Sequence, residues 1–426
     1  MQRPFMTAWI ITMAFPDPSE TFACNDVLAL ERAGVKVDVH CLRPQHRLFS
    51  QLVLERGVTG ISITHNSIIN TLHGLWIGLA QPHLLFDFVG WIIKHTWKRP
   101  INLVKSLILM PRSIQIFDSI QQQRPEIVHL YWSHFPSLVG YLVQRKLPEI
   151  CVSMAFVAHD VYDAEFDSND SYSGPVARNA DLIQSITAAN IPAIEKYGIV
   201  KENILLSYHG VDFSKVPARK AKIKHRIVTA GRLIPDKGFD DVLKIFSRIL
   251  TNWPDASLVI LGDGSERKNL EALANSLQIS HAVDFRGFVA HDEIFAEMAI
   301  AEVFLFMSKA ERLPNVVKEA MACHCLCVTS YTPGIEELII DQMHGYVVSQ
   351  EDTESAAIRV QEIFSNPEKA DYMTEIAYQH LRTHFNLDQI IEDLRNQWRR
   401  LLVAKKPLRS NKNIDQSRLE SSHSSH

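Results

Sequence analysis

The chain has 426 residues, 46 % apolar and 22 % charged, with 44 basic against 48 acidic side chains for a formal charge of −4. That composition excludes a disordered, collagenous or coiled-coil chain, and the near-neutral balance gives no global reason to expect nucleic acid as a partner. The length leaves room for two or three domains, and six cysteines without a secretory signal fit a reducing cytoplasm.

In chain order, the strand-like runs Ala8–Phe15 and Val35–Cys41 flank a helical pattern over Glu20–Ala33. From about His65 to Arg112 the alternation lapses into a stretch rich in Leu, Ile, Trp and Phe. Its nearest approach to a spanning helix, Leu84–Ile93, is broken by Asp87 and Gly90 and falls short of the roughly 18 apolar residues required. Lys94, Lys98, Arg99, Lys105 and Arg112 stand here against the single acid Asp87, interleaved with Trp76, Trp91 and Trp97. Such a mixture suits an anionic membrane surface, and buried core helices are the competing reading.

Strands are then predicted at Ile127–Trp132, Val152–Val157 and Leu182–Ile186, with a helix at Pro136–Arg145. The second half alternates more regularly. Strands at Arg226–Ala230, Ser257–Leu261, Ala282–Arg286, Glu302–Met307, Leu326–Thr329 and Gly345–Val348 are separated by helical periods such as Phe239, Val242, Leu243, Phe246, Ile249 and Leu250. Alternation of this kind builds parallel sheets covered on both faces, so the fold class expected is α/β with two doubly wound domains, 1–210 and 211–386, joined near Gly210–Lys222. A helical segment over 387–404 is expected to follow, and then a disordered polar tail, 405–426. Ligands of open α/β sheets bind at the carboxyl ends of the strands, so the chemistry is expected in loops that follow strands.

Two such loops stand out. Gly231-Arg232-Leu233-Ile234-Pro235-Asp236-Lys237-Gly238 follows a strand and precedes a helix. Its Arg and Lys can converge on one anion, the first as a planar fork and the second as a point charge. A solvated loop is the alternative. Ser308 to Ala322 places Glu311 and Glu319 across a loop-to-helix transition, with Pro314 expected in the first helical turn and free amides from Asn315 and Val316 to Val317. Exposed amides at a helix start bind anions, and the carboxylates can accept from sugar hydroxyls. No Asp-x-Asp triplet occurs, so no metal is expected. Cys323, His324, Cys325 and Cys327 lie too close together for a usual zinc site, and small buried core residues are the preferred reading. For His129 and His134, beside a strand end, packing competes with a catalytic role.

These blocks, together with Tyr208-His209-Gly210-Val211-Asp212, Gly262-Asp263-Gly264, Phe285-Arg286-Gly287-Phe288 and Pro333-Gly334-Ile335-Glu336-Glu337-Leu338, resemble family 4 glycosyltransferases in the expected order over residues 208–350. Pro16-Asp17-Pro18-Ser19-Glu20-Thr21-Phe22 is similar to the Ser-Glu-Thr-Phe signature of a subgroup found in surface-polysaccharide assembly, and Ala158-His159-Asp160 resembles the family's histidine loop. The resemblance implies a retaining, nucleotide-sugar-dependent enzyme of GT-B fold, its acceptor domain facing its donor domain across a cleft. It further implies that Arg232 and Lys237, with Gly231, Asn315 and Val316, hold the donor diphosphate. Glu319 would take the ribose, Gly287 and Phe288 would line the base, and Glu311 and His159 would act at the transferred sugar. Ser19, Glu20 and His134 are the acceptor-side candidates. Arg312 stands where the family usually has Gly, and His324 to Cys327 replace a usual Gly-x-Pro turn.

The function expected is transfer of a sugar from a nucleoside diphosphate to a glycan or lipid-linked acceptor in exopolysaccharide, lipopolysaccharide or capsule synthesis. It would proceed without a cofactor, in the cytoplasm, with the insert at the inner face of the plasma membrane. A catalytically degenerate binding protein, and a nucleotide-sugar hydrolase or epimerase of the same fold, are the alternatives.

Overall fold

Val- and Ile-rich runs buried on both faces pair as parallel strands once helices cover the two sides of a sheet. A computed structural model of the protein describes residues 6–17, 20–157 and 173–423, with side chains as far as Lys405. The chain forms two units, residues 1–208 with 388–426, and residues 209–387.

Unit 1 contains β1 (Met6–Thr12), α1 (Thr21–Arg32), β2 (Val35–Pro44), α2 (Phe49–Glu55), β3 (Ser62–Asn66), α3 (Ile68–Ala80), α4 (Pro82–Thr96), α5 (Pro100–Gln123), β4 (Ile127–Tyr131), α6 (Ser137–Lys146), β5 (Cys151–Phe156), α7 (Ser173–Arg178), β6 (Leu182–Ser185), α8 (Ile191–Glu195) and β7 (Ile204–Leu206). Its parallel sheet has the order β3-β2-β1-β4-β5-β6-β7. Each strand read from the sequence is present with shifted ends. The edge strands β3 and β7 escape the pattern because they are short and mixed in composition.

Unit 2 contains β8 (Ile223–Ala230), α9 (Phe239–Asn252), β9 (Ser257–Leu261), α10 (Arg267–Ser276), β10 (Val283–Gly287), α11 (His291–Ile300), β11 (Ala301–Phe306), α12 (Asn315–Ala322), β12 (Leu326–Ser330), β13 (Gly345–Val348), α13 (Thr353–Ser365) and α14 (Pro367–His384). The sheet order is β10-β9-β8-β11-β12-β13. The expected stripe Phe239, Val242, Leu243, Phe246 and Ile249 is buried on one face of α9, against Ile227, Leu258 and Val303. Two Rossmann-like parallel sheets are thus present. In each the strand order reverses once, beside β1 in unit 1 and beside β8 in unit 2, and a crevice opens at the carboxyl ends of the strands flanking that point.

The insert folds as three helices, and neither sequence reading describes it fully. Leu84, Phe88 and Ile92 of α4 and Ile114, Phe117 and Ile120 of α5 are core residues. Trp91, counted with the surface aromatics in the sequence, stacks on Tyr141 at 4.1 Å between centroids. Arg112, counted with the surface cations, is buried and donates to the Cys41 carbonyl at 3.1 Å and the Thr64 hydroxyl at 3.0 Å. The outer faces of α3, α4 and α5 are exposed.

The last helix, α15 (Leu387–His423), returns the chain to unit 1. Trp398 is fully buried with its ring 5.6 Å from that of His129, and Lys405 donates to Asp181 at 2.7 Å. Helical backbone extends to His423, past the end expected at residue 404. The stretch is polar but holds Lys, Arg, Gln and Leu, which are good helix formers.

Candidate functional site

The site grows from the reversal point of unit 2. Three loops interlock there through their backbones. Gly231 N–H donates to the Leu261 carbonyl at 2.9 Å, and Leu233 N–H to the Asp263 carbonyl at 3.0 Å. Gly262, at φ +138°, has no room for a side chain, because a Cβ would stand 1.9 Å from the Gly231 carbonyl oxygen. Gly238, at φ +64°, meets the loop after β11 as closely, a Cβ falling 2.0 Å from the Met307 carbonyl oxygen. Lys309 N–H and the Ser308 hydroxyl both donate to the Asp236 carbonyl, at 2.8 and 3.1 Å, and Ser330 Oγ donates to the Ser308 carbonyl at 2.7 Å. Gly238 and Gly262 are thus required by close backbone approach.

This scaffold brings Lys237 and Glu311 into a direct ion pair, both side chains mostly withdrawn from solvent. Arg232, on the same loop as Lys237, is exposed. Pro314 precedes the helix in extended backbone, φ −64° and ψ 122°, rather than occupying its first turn, and Asn315 opens α12. The first intrahelical bond runs from Lys318 N–H to the Pro314 carbonyl. Amides of Asn315, Val316 and Val317 therefore precede the helical ladder and carry its positive dipole end. One turn in, Glu319 Oε1 lies 2.9 Å from His291 Nε2. His291, the first residue of α11, was not recognised from the sequence; a histidine opening the helix after Gly287-Phe288-Val289-Ala290 was the available signal. The buried Lys318 donates to the His209 carbonyl at 2.5 Å, which fastens the His209–Asp212 turn to α12.

At the end of β10, Gly287 adopts φ +71° and Phe288 stands 72 % exposed, an aromatic surface open to a ligand. Arg286 is engaged by Asp284 at 2.7 Å and Glu297 at 2.9 Å. Arg312 is half-buried beside Glu311.

The Cys323–Cys327 segment is packing. Cys323 Sγ lies 3.7 Å from the Phe295 carbonyl and Cys327 Sγ 3.8 Å from that of Val317. Burial pushes the Cys325 thiol up to about 12 and that of Cys327 well above the ordinary range. Among the described residues no group of three His, Cys, Asp or Glu side chains could hold a metal ion. His324 takes φ +53° and closes α12, its N–H on the Met321 carbonyl at 3.1 Å and that of Cys325 on the Ala320 carbonyl at 3.0 Å. This is the left-handed helix ending that glycine usually supplies, with the His324 ring stacked on Tyr378 at 4.4 Å.

In unit 1, Ser19 and His159 lie outside the described residues. Glu20 directly precedes α1 and makes no capping bond through its side chain. His134 follows β4 and is buried; burial, then Arg99 and Lys105, push it down to about 3, so it is neutral. Glu20 and His134 thus sit in the loops after β1 and β4, the strands that flank the reversal point of this sheet. His129 is a core residue, its Nδ1 3.2 Å from Ser153 Oγ. Trp132 adopts φ +80°, the left-handed region that a bulky residue seldom enters, with its ring 6.2 Å from Phe22. It marks the same reversal point and left no signal in the sequence.

Residues 212–380 match the family described as Glycosyl transferases group 1. The chain is 25 % identical over 269 residues to the lipopolysaccharide core biosynthesis glycosyltransferase LpsE of Rhizobium meliloti, covering 60 % of this chain and 77 % of that one. It is 24 % identical over 284 residues to the N-acetyl-alpha-D-glucosaminyl L-malate synthase of Bacillus anthracis, covering 64 % and 74 %. Among solved structures, Anabaena Alr3699/HepE in complex with UDP is similar at TM-score 0.71 and 16 % identity, over 92 % of this chain and 99 % of that one. The same protein with UDP-glucose gives 0.68 at 16 % identity, over 91 % and 98 %. Residues 212–380 are thus similar to the group 1 glycosyltransferases, in a chain of two Rossmann-like domains whose structural neighbours are GT-B glycosyltransferases, and the relatives it matches include one named for lipopolysaccharide core biosynthesis.

Proposed function

We propose that the protein is a retaining hexosyltransferase that moves a sugar from a nucleoside diphosphate to a hydroxyl of a glycan or lipid-linked acceptor during surface-polysaccharide synthesis, without a metal. The observation that carries this reading is the Lys237–Glu311 pair at the reversal point of unit 2, beside Arg232 and the free amides of α12. As the bond from the anomeric carbon to the diphosphate breaks, negative charge grows on phosphate. Two cations and a helix N-terminus are placed to meet that charge, Lys237 by exchanging its carboxylate partner for phosphate. A bound diphosphate would take Lys237 from Glu311 and leave this carboxylate to face the sugar, where the new bond forms on the same side as the old. Glu319, held by His291, would receive the ribose hydroxyls, and Phe288 the base. His159 would contact the sugar, with Ser19, Glu20 and His134 on the acceptor side. Unit 1 would work at the cytoplasmic face of the membrane, its insert docked there.

The UDP and UDP-glucose complexes of HepE make UDP-sugars the first donors to try. A mass-spectrometric screen of nucleotide sugars with a lipid-linked oligosaccharide tests the reading. Transfer with the anomeric configuration kept, undiminished by a chelator, is expected. Free nucleoside diphosphate should appear only when acceptor is present, and release without acceptor would indicate a hydrolase instead. Glu311→Ala should abolish transfer in a protein that remains folded; near-normal transfer would overturn the role given to Glu311.

A further inference from the structure

Helix α3 inverts the arrangement of an ordinary surface helix, which buries apolar side chains and exposes polar ones. Its inner face buries only Gly74, Ile77 and Gly78, two of the three without a side chain. A Cβ on Gly74 would lie 1.8 Å from the Pro111 carbonyl oxygen of α5, and one on Gly78 would touch Ile114 and Leu85 at 3.4 Å. Apart from Ile77, the large apolar side chains face outward instead. Ile68, Ile69, Leu72, Leu75, Trp76 and Leu79 are between 41 and 81 % exposed, and α3 contains no charged residue.

The contacts of Gly74 with Pro111 and of Gly78 with Ile114 make α3 and α5 parallel. Val104 and Ile108, 56 and 66 % exposed, accordingly stand at the level of Ile68 to Leu72 and widen the same surface. On α4, Phe86 and Ile93 are exposed as well. A patch of this extent marks an interaction surface.

Its chemistry selects the occupant. The outer face of α3 offers no charged side chain and few hydrogen-bonding groups, the His73 ring and the Trp76 indole N–H, to set the register of a protein partner. The exposed Lys94 and Lys105 stand on α4 and α5 next in sequence to the exposed Ile93 and Val104, while Asp87 is held by Arg145 at 2.8 Å. Two copies face to face would set lysines against lysines across a symmetric contact. A bilayer satisfies both features, its acyl region taking the apolar stripe and its phosphates the lysines, with Trp76 and Trp97 suited to the boundary. Helices α3 and α4, of 13 and 15 residues, meet at 109°. A span takes about 20 residues, so neither helix crosses.

We propose that the insert is a monotopic membrane element in which the uncharged face of α3 penetrates the acyl boundary of one leaflet, with the lysines a secondary contribution. This rests on the docking reading above and specifies its physics: penetration, rather than adsorption to anionic charge.

The test is flotation of the full chain with vesicles of phosphatidylcholine alone and with added phosphatidylglycerol, at about 0.1 M and about 1 M sodium chloride. Binding to phosphatidylcholine that survives the higher salt is expected. The exposed double variant Leu72→Asp with Leu79→Asp should weaken it at least about tenfold, whereas Lys94→Gln with Lys105→Gln should weaken it less than about threefold. Both variants should keep the circular dichroism and thermal transition of the parent, since the changed side chains are exposed. Binding only to anionic vesicles, released by salt, would overturn penetration and leave docking in place. No binding to either vesicle would overturn both. A dimer of the parent chain, dissociated by Leu72→Asp with Leu79→Asp, would assign the surface to a second copy and overturn the proposal.

Discussion

Glu311 and Lys237 hold each other in a direct ion pair, and this pairing makes the two residues separable by experiment. If Glu311 competes with phosphate for the Lys237 ammonium, Glu311→Gln should bind nucleoside diphosphate more tightly than the parent, by about threefold to tenfold, while turnover falls by about two to three orders of magnitude. Calorimetric titration with the diphosphate and initial rates with the full donor check the two halves. Tighter product binding with lost turnover is the outcome expected. Backbone demands are as local. Gly238→Ala would force a Cβ into the Met307 carbonyl at a positive φ, and should cost more than about 2 kcal/mol, measured by denaturant unfolding. At this scale the candidate residues were legible wherever they are contiguous: the Arg232–Lys237 loop, Glu311 and Glu319 were read from the sequence as candidates. His291 and Trp132 were not, because the one acts on a partner 28 residues away and the other is marked only by its backbone angle.

Among the elements, the regular ones were easiest to read. The α9 stripe gives its buried face from spacing alone, and the β9 strand has the ends expected. The insert shows why the rest was harder. Composition reveals that α3 is apolar, but only the fold decides whether an apolar helix turns its large residues in or out, and here two glycines decide it. Gly74 lets α3 sit directly on the Pro111 backbone. Gly74→Leu should therefore push α3 off α5, lower the thermal transition by several degrees and leave donor binding in unit 2 unchanged; scanning calorimetry with and without nucleotide separates the two effects. Likewise Arg112 reads as one more surface cation until its bonds to Cys41 and Thr64 show it joining α5 to β2 and β3.

Over the whole molecule, acid should act on unit 1 first. Burial holds His129 down to about 4, against a nearby Asp26. Burial with Arg112 holds His40, and burial with Arg99 and Lys105 holds His134, each down to about 3. Each is near 6.5 when unfolded, so between these values the unfolded chain binds more protons than the folded one. Stability is complete above pH 6.5 and falls as pH drops toward 4, by about 1 kcal/mol per pH unit for each histidine. Of the described histidines held this low, three lie in unit 1, and His344 is their counterpart in unit 2. Circular dichroism melts across this range should show one transition moving down before the other. Ending the chain at Leu387 should destabilise the same unit, by removing Trp398 from beside His129, and leave nucleotide binding intact.

Unit 2 is an insertion within unit 1, and its two ends are stitched together: Val211 N–H donates to the Phe385 carbonyl at 2.7 Å and Leu387 N–H returns to the Val211 carbonyl at 3.1 Å. During synthesis the order of completion therefore inverts the order of sequence. Every residue of unit 2 has been added by Leu387, whereas the unit that begins the chain must wait for Trp398 to fill its core. Until then it presents the apolar stripe of α3 on an unfinished body, so a nascent chain would meet the membrane, or a chaperone, with unit 2 already formed.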